Sequence, residues 1–125
     1  MNTNTSTGLQ STNTRLSGIA RKKYDRDQVI FREHENGDMA YIIANGQVQI
    51  VKESDNGPKV LGVLEKGAMF GEMALIDNKP RMASAKAING PVELLIVSKA
   101  NFQKKMEQLD PFTRGLIKFM AEIVR

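Results

Sequence analysis

The chain has 125 residues, a formal net charge of +4 and no cysteine. This length suits one domain with a buried core but not a core plus a separate catalytic domain, so a binding or regulatory module is favoured over a complex enzyme. Without cysteine the chain has no disulfide framework, thiolate metal site or cysteine nucleophile, and its single histidine, His34, excludes a histidine-rich metal centre.

Residues 1–18 are dominated by Ser, Thr, Asn and Gly, with Leu9 and Leu16 almost their only apolar side chains. Such a segment cannot repay the entropy lost on ordering, so we expect a flexible tail here and a single domain over residues 19–125. No stretch of the chain resembles a secretory signal or approaches the roughly 20 apolar residues of a membrane span. We therefore expect a cytoplasmic protein.

Basic and acidic residues are interspersed along most of the chain, apart from the run Arg21-Lys22-Lys23. We interpret this run as the solvated start of a strand. Nucleic-acid binding is not expected, because neither a second basic stripe nor a set of aromatic residues for base stacking accompanies the run.

Short apolar runs separated by turn residues predict a compact β-domain from Tyr24 onward. The predicted strands are 28–31, 39–44, 47–52, 59–64, 81–88 and 92–97. Turns are expected at 35–38 and 55–58, and a long loop is expected around Gly67 and Gly71. Asn45-Gly46 predicts a hairpin, and Asn89-Gly90-Pro91 is expected to separate the last two strands.

Residues 99–125 change to a period near 3.6, which predicts two helices. Ser98 is the expected N-cap of the first helix, and Asp110-Pro111 predicts the start of the second, with the acid as N-cap and proline at the first helical position. The second helix carries a wide apolar stripe, formed by Phe112, Leu116, Phe119 and Ile123 and widened by Ile117, Met120 and Val124. Packing against the β-domain, a lid over a ligand and a dimer face all stay open as its role.

The sixteen residues from Phe70 to Ala85 are the most informative part of the sequence. If Glu72–Ile76 form one helical turn, its unpaired N–H groups make an anion site that Gly71 lets a ligand approach closely. Arg81 can offer a planar fork of donors to two phosphate oxygens, whereas Glu72 has only acceptor oxygens and suits a ligand hydroxyl. The segment therefore predicts a site for a small phosphate ester. A plain surface ion pair between Glu72 and Arg81, worth about 0 to 1 kcal/mol, is the alternative.

Phe-Gly-Glu, an apolar residue, Ala-Leu-Ile, a short turn, Pro-Arg and Ala-Ser closely resemble the phosphate-binding cassette of cyclic nucleotide-binding domains. The resemblance covers roughly residues 24–125 and extends to Val29-Ile30-Phe31, Glu35, Gly37-Asp38, Tyr41-Ile42-Ile43, Gly46, Val48 and Gly67. It implies a mainly β fold with flanking α-helices: a β jelly roll (double-stranded β-helix) over about residues 24–97 and C-terminal helices over about 99–125. His34 stands where such domains commonly have glycine, and we interpret it as an exposed turn residue.

The resemblance also implies a role for each residue. Glu72 would accept from the ribose 2′-hydroxyl, Arg81 would pair with the cyclic phosphate, and the N–H groups of Gly71, Ala74 and Met82 would complete the phosphate nest. The expected ligand-binding set is Gly71, Glu72, Met73, Ala74, Arg81, Met82, Ala83 and Ser84. We interpret Ser84 as a strand residue with a satisfied hydroxyl, and a contact to the ligand is the alternative. No metal and no cofactor besides the cyclic nucleotide ligand is expected.

The identity of the base is indicated by the residue after the cassette arginine. Domains of this kind that favour cGMP often carry Thr or Ser there, and the apolar Met82 therefore favours cAMP. Purine contacts are expected from Val63, Leu64 or the final helix. Phe119, Ile123 and Arg125 are the candidates for a lid.

We expect a non-enzymatic cyclic-nucleotide sensor in which ligand binding moves the final helix and signals to an unidentified protein effector. The alternative is a nucleotide-free jelly-roll interaction domain that dimerises, for which the final helix is the candidate surface. A metal-dependent enzyme on a similar jelly roll is disfavoured by the single histidine. Direct DNA regulation is not expected, because no segment of helix-turn-helix size follows Arg125.

Overall fold

The computed structural model describes residues 19–124, so the predicted flexible tail at 1–18 lies outside the described residues. Within 19–124 the chain forms six strands, one 3₁₀ helix and two α-helices. They are β1 (Ile19–Tyr24), β2 (Val29–Phe31), β3 (Met39–Ser54), β4 (Gly57–Leu64), β5 (Met69–Phe70), the 3₁₀ helix (Glu72–Leu75), β6 (Ser84–Ser98), α1 (Lys99–Glu107) and α2 (Pro111–Val124). The prediction of a mainly β domain followed by helices is confirmed.

The sheet is built around the antiparallel pair β3 and β6, whose register runs from Met39↔Ser98 to Val51↔Ser84. The strand order is β1-β6-β3-β4, with β2 paired to β6 and β5 paired to β3. Side chains on the inner face form one buried core of Tyr24, Tyr41, Ile43, Val48, Phe70, Ala85, Ala87, Val92 and Leu94. This core supports the segment between β4 and β6, which carries the predicted site.

Three aromatic rings connect the core to that segment. Phe31, Tyr41 and Phe70 lie with ring centroids 5.2 to 6.0 Å apart, within the range in which aromatic pairs attract. Tyr41 and Phe70 are buried, whereas Phe31 is only half-buried. One aromatic ring is therefore left at the border between the core and the site.

The predicted hairpin at Asn45-Gly46 is wrong, because β3 continues through these residues. Gly46 does take a positive φ of 97°, but the chain does not reverse: β3 stays paired with β6 at Ile43↔Leu94 and again at Gln47↔Ile88, with register shifts in between. A Cβ at Gly46 would lie 2.6 Å from the Pro91 carbonyl oxygen. Glycine is therefore required by a bulge and a close strand approach, and not by a turn.

The expected break at Asn89-Gly90-Pro91 is also wrong, and for a related reason. Asn89 and Gly90 have positive φ values of 62° and 134°, yet they lie inside β6, opposite the irregular part of β3. Turn residues placed opposite each other in two paired strands thus produce a shared irregularity instead of two hairpins.

Other bounds shift by a few residues. The strand predicted from Arg81 begins only at Ser84, because the backbone of Arg81 bonds to the turn at 32–35 instead of to a neighbouring strand. The two-residue β5 was not predicted as a strand. The basic run at 21–23, interpreted as the start of a strand, lies within β1.

Both helix starts are confirmed by their caps. The Asn101 N–H donates to Ser98 Oγ at 3.2 Å, and the Thr113 N–H donates to Asp110 Oδ2 at 3.0 Å. The apolar stripe of α2 remains largely exposed, with Phe112 76% and Ile123 66% exposed, so it does not pack closely against the β-domain. No helix within 19–124 has the length and apolar character needed to cross a membrane.

Candidate ligand-binding site

The centre of the candidate site is the 3₁₀ helix Glu72–Leu75, which confirms the predicted helical turn apart from Ile76, its C-cap. Gly71 precedes it with a φ of 71°, a left-handed conformation that glycine adopts without strain. Ala74 and Leu75 are buried and anchor the turn to the core. The exposed end of the turn therefore holds a fixed position over the sheet.

Arg81 is held over this turn by its own backbone. Its N–H donates to the Glu35 carbonyl oxygen at 2.8 Å, and its carbonyl oxygen accepts from the His34 N–H at 2.8 Å. His34 has a positive φ of 75° and an exposed side chain, as expected for a turn residue at a position that favours glycine.

The guanidinium of Arg81 lies in a compartment formed by backbone carbonyl oxygens and the rings of Phe31 and Tyr41. Nη1 donates to the Gly71 carbonyl oxygen at 3.1 Å, and Nη2 donates to that of Met39 at 2.8 Å. Its central carbon lies 4.1 Å from the centroid of the Phe31 ring, a cation–π arrangement. The side chain is thus oriented before any ligand arrives.

Two glycines leave the space that the guanidinium fills. A Cβ at Gly37 would lie 2.5 Å from Arg81 Nη2, and a Cβ at Gly71 would lie 2.8 Å from Nη1. Gly37 does not have a left-handed φ, so steric space alone requires glycine at this position.

The charge of Arg81 is not compensated by an ion pair within residues 19–124. The residue is only 8% exposed, and its buried Nε has no hydrogen-bond partner there. Burial lowers the pKa of the guanidinium by desolvation, partly offset by the phenol of Tyr41 and by the carboxylates of Asp38, Glu35 and Glu72. A buried cation with an unused donor is suited to an anionic ligand.

Glu72 complements Arg81 at the other side of the opening. Its side chain is exposed, and within the described part of the chain its carboxylate makes no hydrogen bond or ion pair. The surface ion pair considered as an alternative is therefore absent from these residues, and the carboxylate is available to accept from a ligand hydroxyl.

These groups open into a cavity of about 390 Å³, within the range of small-molecule sites. Its lining combines a polar end with apolar walls. The lining residues are Phe31, Ile50, Leu64, Met69, Phe70, Gly71, Glu72, Met73, Ala74, Lys79, Pro80, Arg81, Met82 and Ala83.

Seven of the eight predicted site residues line this cavity, and Ser84 does not. The Ser84 hydroxyl instead accepts from the Glu33 N–H at 2.9 Å, as expected for a strand residue with a satisfied hydroxyl. The Ala74 N–H donates within the turn to the Gly71 carbonyl oxygen at 3.2 Å, so it is not the unpaired donor that was predicted. The amides of Glu72 and Met73, by contrast, donate no hydrogen bond within the described residues.

Some residues at the site were missed, or were not assigned a role there. Phe31 and Gly37 shape the guanidinium compartment, and Lys79 lines the cavity. The sequence signal for Gly37 was its place in a turn, which says nothing about a distant arginine. Of the two named base contacts Leu64 lines the cavity and Val63 does not. Of the lid candidates, Phe119 and Ile123 do not line it, and Arg125 lies outside the described residues.

The sequence pattern described as "Cyclic nucleotide-binding domain" matches residues 21–109. The chain belongs to this family. It is 31% identical over 104 residues to cGMP-dependent protein kinase 2 of Mus musculus, and 30% identical over 111 residues to the cyclic AMP receptor protein of Thermus thermophilus. The aligned regions cover 82% and 88% of this chain but only 14% and 51% of those proteins.

Solved structures confirm the jelly-roll fold of this cyclic nucleotide-binding domain. The EAL enzyme Bd1971 in its cAMP-bound form is 36% identical with a TM-score of 0.72, covering 84% of this chain and 28% of that chain. The cGMP-bound form of the same enzyme has a TM-score of 0.73. The family match at residues 21–109 includes the 3₁₀ helix, Arg81 and every residue that lines the cavity, so the cavity lies inside the matched region.

Proposed function

We propose that this domain binds cAMP in preference to cGMP and converts binding into movement of its C-terminal helices. The observation that carries the proposal is Arg81, an almost completely buried residue that lines the cavity and whose guanidinium has an unpaired Nε and no ion pair in the described residues. A cyclic phosphate, with one negative charge, would offset this charge. Glu72 would then accept from the free ribose hydroxyl.

The preference for cAMP is supported by the apolar walls of the cavity. Met82 follows Arg81 and presents a thioether instead of a hydroxyl, and the neighbouring Ile50, Leu64 and Met69 offer no side-chain hydrogen bond to a guanine. The relatives include both cAMP- and cGMP-named proteins, so the support comes from the lining residues.

Movement of the helices is supported by contacts between the 3₁₀ helix and α1. The Lys99 Nζ donates to the Asp77 carbonyl oxygen at 3.2 Å and to the Asn78 side chain, just beyond the turn. Leu75 and Ile76 share a cleft with Phe102 and Met106 of α1. A ligand that displaces the turn would therefore act directly on α1, to the extent that it binds the displaced state more tightly.

Calorimetric titration with cAMP, cGMP and 5′-AMP tests the proposed ligand. We expect cAMP to bind most tightly, and Glu72→Gln and Arg81→Lys each to weaken it by about 1.5 to 3 kcal/mol, or roughly 10- to 150-fold. Glu72→Gln is the cleaner variant, because the Glu72 carboxylate makes no hydrogen bond or ion pair within residues 19–124. Arg21→Lys, at an exposed arginine paired with Glu93, is the control and should leave affinity unchanged. Unchanged cAMP affinity in both site variants would contradict the proposal.

The exposed apolar stripe of α2 favours a second candidate, a domain that dimerises through this helix in the cytoplasm without a nucleotide. Sedimentation of the same samples separates the two candidates. A stable dimer that binds neither cyclic nucleotide would support the second, whereas amide exchange in 111–124 that changes on adding cAMP supports the first.

A further inference from the structure

Glu33, Lys52 and the Glu53 amide form a polar cluster that contacts the cavity-lining residue Met82. None of the three cluster residues lines the cavity itself. At the centre of the cluster is Glu33, whose side chain is only 8% exposed. Its Oε1 accepts from the Glu53 N–H at 3.0 Å, and its Oε2 accepts from the Lys52 Nζ at 3.2 Å. These bonds fix the carboxylate and, through it, the end of the lysine side chain.

This cluster holds the segment that follows Arg81. Lys52 Nζ donates to the Met82 carbonyl oxygen at 2.8 Å, a charge-assisted bond to the peptide between Met82 and Ala83. The Glu33 N–H donates to Ser84 Oγ at 2.9 Å. Met82 and Ala83 line the cavity, so two groups outside the site fix the backbone of residues inside it.

The turn at residues 32–35, which contains Glu33, also holds the backbone of Arg81. The Glu35 carbonyl oxygen and the His34 N–H each bond to it at 2.8 Å. The turn is itself closed by the Glu35 N–H, which donates to the Arg32 carbonyl oxygen at 3.1 Å. Residues 81–84 are thus held at Arg81 by backbone bonds and at Met82 and Ser84 by the pair of Glu33 and Lys52.

We propose that Glu33 and Lys52 are positioning residues for the cavity: they fix the Met82–Ala83 peptide at the phosphate end and so raise affinity without touching the ligand. The inference rests on the proposed function, because it deepens the account of the same site. Lys52 acts through the Met82 carbonyl, and Glu33 acts by holding Lys52 and Ser84. Oriented dipoles that need no rearrangement on binding give tighter complexes than mobile ones.

The test compares Lys52→Met with Lys59→Met. Lys59 is the cross-strand partner of Lys52, is exposed, and makes no hydrogen bond or ion pair within residues 19–124, so its variant removes the same charge from the same surface. We expect Lys52→Met to weaken cAMP binding by about tenfold. In metal sites, residues that orient a ligand without touching the metal also change affinity when mutated, and about tenfold is the lower end of that effect. Lys59→Met should leave affinity unchanged.

A merely structural role would lower the urea midpoint of unfolding and leave affinity intact, and that result in Lys52→Met would overturn the proposal. An equal loss of affinity in Lys59→Met would also overturn it, because general charge would then be the cause. Lys52→Arg retains a donor and should recover most of the affinity. Glu33→Gln combined with Lys52→Met should weaken binding by less than the product of the single effects, since both act through one contact.

Amide hydrogen exchange of the ligand-free protein separates failure of this inference from failure of the proposed function. If the unaltered domain binds neither cyclic nucleotide, the proposed function fails, but exchange at residues 82–84 still tests the positioning. Faster exchange there in Lys52→Met, with unchanged exchange in the core of β6, supports it. Unchanged exchange at 82–84 overturns it.

Discussion

At the scale of single residues the site depends on how one cation is buried. The guanidinium of Arg81 has lost most of its water, and within the described residues it contacts two carbonyl oxygens and the rings of Phe31 and Tyr41, with no counter-ion. This incomplete compensation leaves Nε without a hydrogen-bond partner in the described residues, and a buried unsatisfied donor of this kind is a signal of function. Gly37 and Gly71 make the arrangement sterically feasible.

Gly37→Ala tests this dependence on space. The new Cβ would meet Nη2, Nε and Cζ of Arg81 at 2.5 to 2.8 Å, so the end of the side chain must move while the backbone can stay. We expect cAMP affinity measured by calorimetry to fall by about tenfold or more, because small displacements of a charged contact weaken it strongly. Thermal unfolding should change much less.

Gly62→Ala is the matched control, because a Cβ at Gly62 meets nothing within 4 Å and its φ is not left-handed. It should leave affinity unchanged. Normal cAMP affinity in Gly37→Ala would show that the guanidinium does not need the space.

At the scale of elements, the helix caps can be predicted from nearby residues, whereas the strand irregularities depend on a distant strand. A cap is decided by residues three positions apart, as Asp110 and Thr113 show: the Asp110 carboxylate accepts from both the N–H and the hydroxyl of Thr113. The hairpin predicted at Asn45-Gly46 is wrong because the positive φ of Gly46 fits either a hairpin or a bulge. The choice was made by β6, which pairs with β3 on both sides.

Asp110→Ala tests the cap of α2. Loss of the carboxylate leaves the first N–H groups of the helix without their side-chain acceptor, so we expect faster amide exchange at residues 112–114 and lower helix content by circular dichroism. Asp110→Asn keeps a side-chain oxygen and should stay close to the unaltered protein. Equal exchange in all three proteins would contradict this role of the cap.

At the scale of the whole molecule, ionisable groups set the pH range of stability. Hydrogen bonds from the backbone lower the pKa of Glu33 and of Asp110, with the Glu53 and Thr113 amides as the largest causes. Both groups stabilise the folded state when ionised, so this contribution is present at neutral pH and is lost as pH falls below about 5 and through the folded pKa values. Burial raises the pKa of Tyr24 and Tyr41, so stability should also fall as pH rises above about 10.

Urea unfolding across this pH range measures the profile. We expect a plateau between about pH 5 and 9, and Glu33→Gln should reduce the loss of stability on the acid side because it removes one of the two groups responsible. Glu65→Gln, at an exposed glutamate, is the control and should preserve the acid limb. An acid limb that is the same in Glu33→Gln and in the unaltered protein would contradict the assignment.

What the sequence determined by itself was local or carried by a contiguous motif. The 3₁₀ helix and the two helix caps follow from spacings of a few positions, because hydrogen bonds and turn conformations act over that range. The resemblance of one contiguous motif to a known family implied eight ligand-binding residues, of which seven line the cavity. The tertiary structure alone decided the continuous course of β3 and β6, the space that Gly37 leaves for Arg81, and the contact of Lys52 with Met82. Each of these joins residues that are 30 or more positions apart. Such contacts depend on the register of paired strands, which the whole sheet fixes and no short segment encodes.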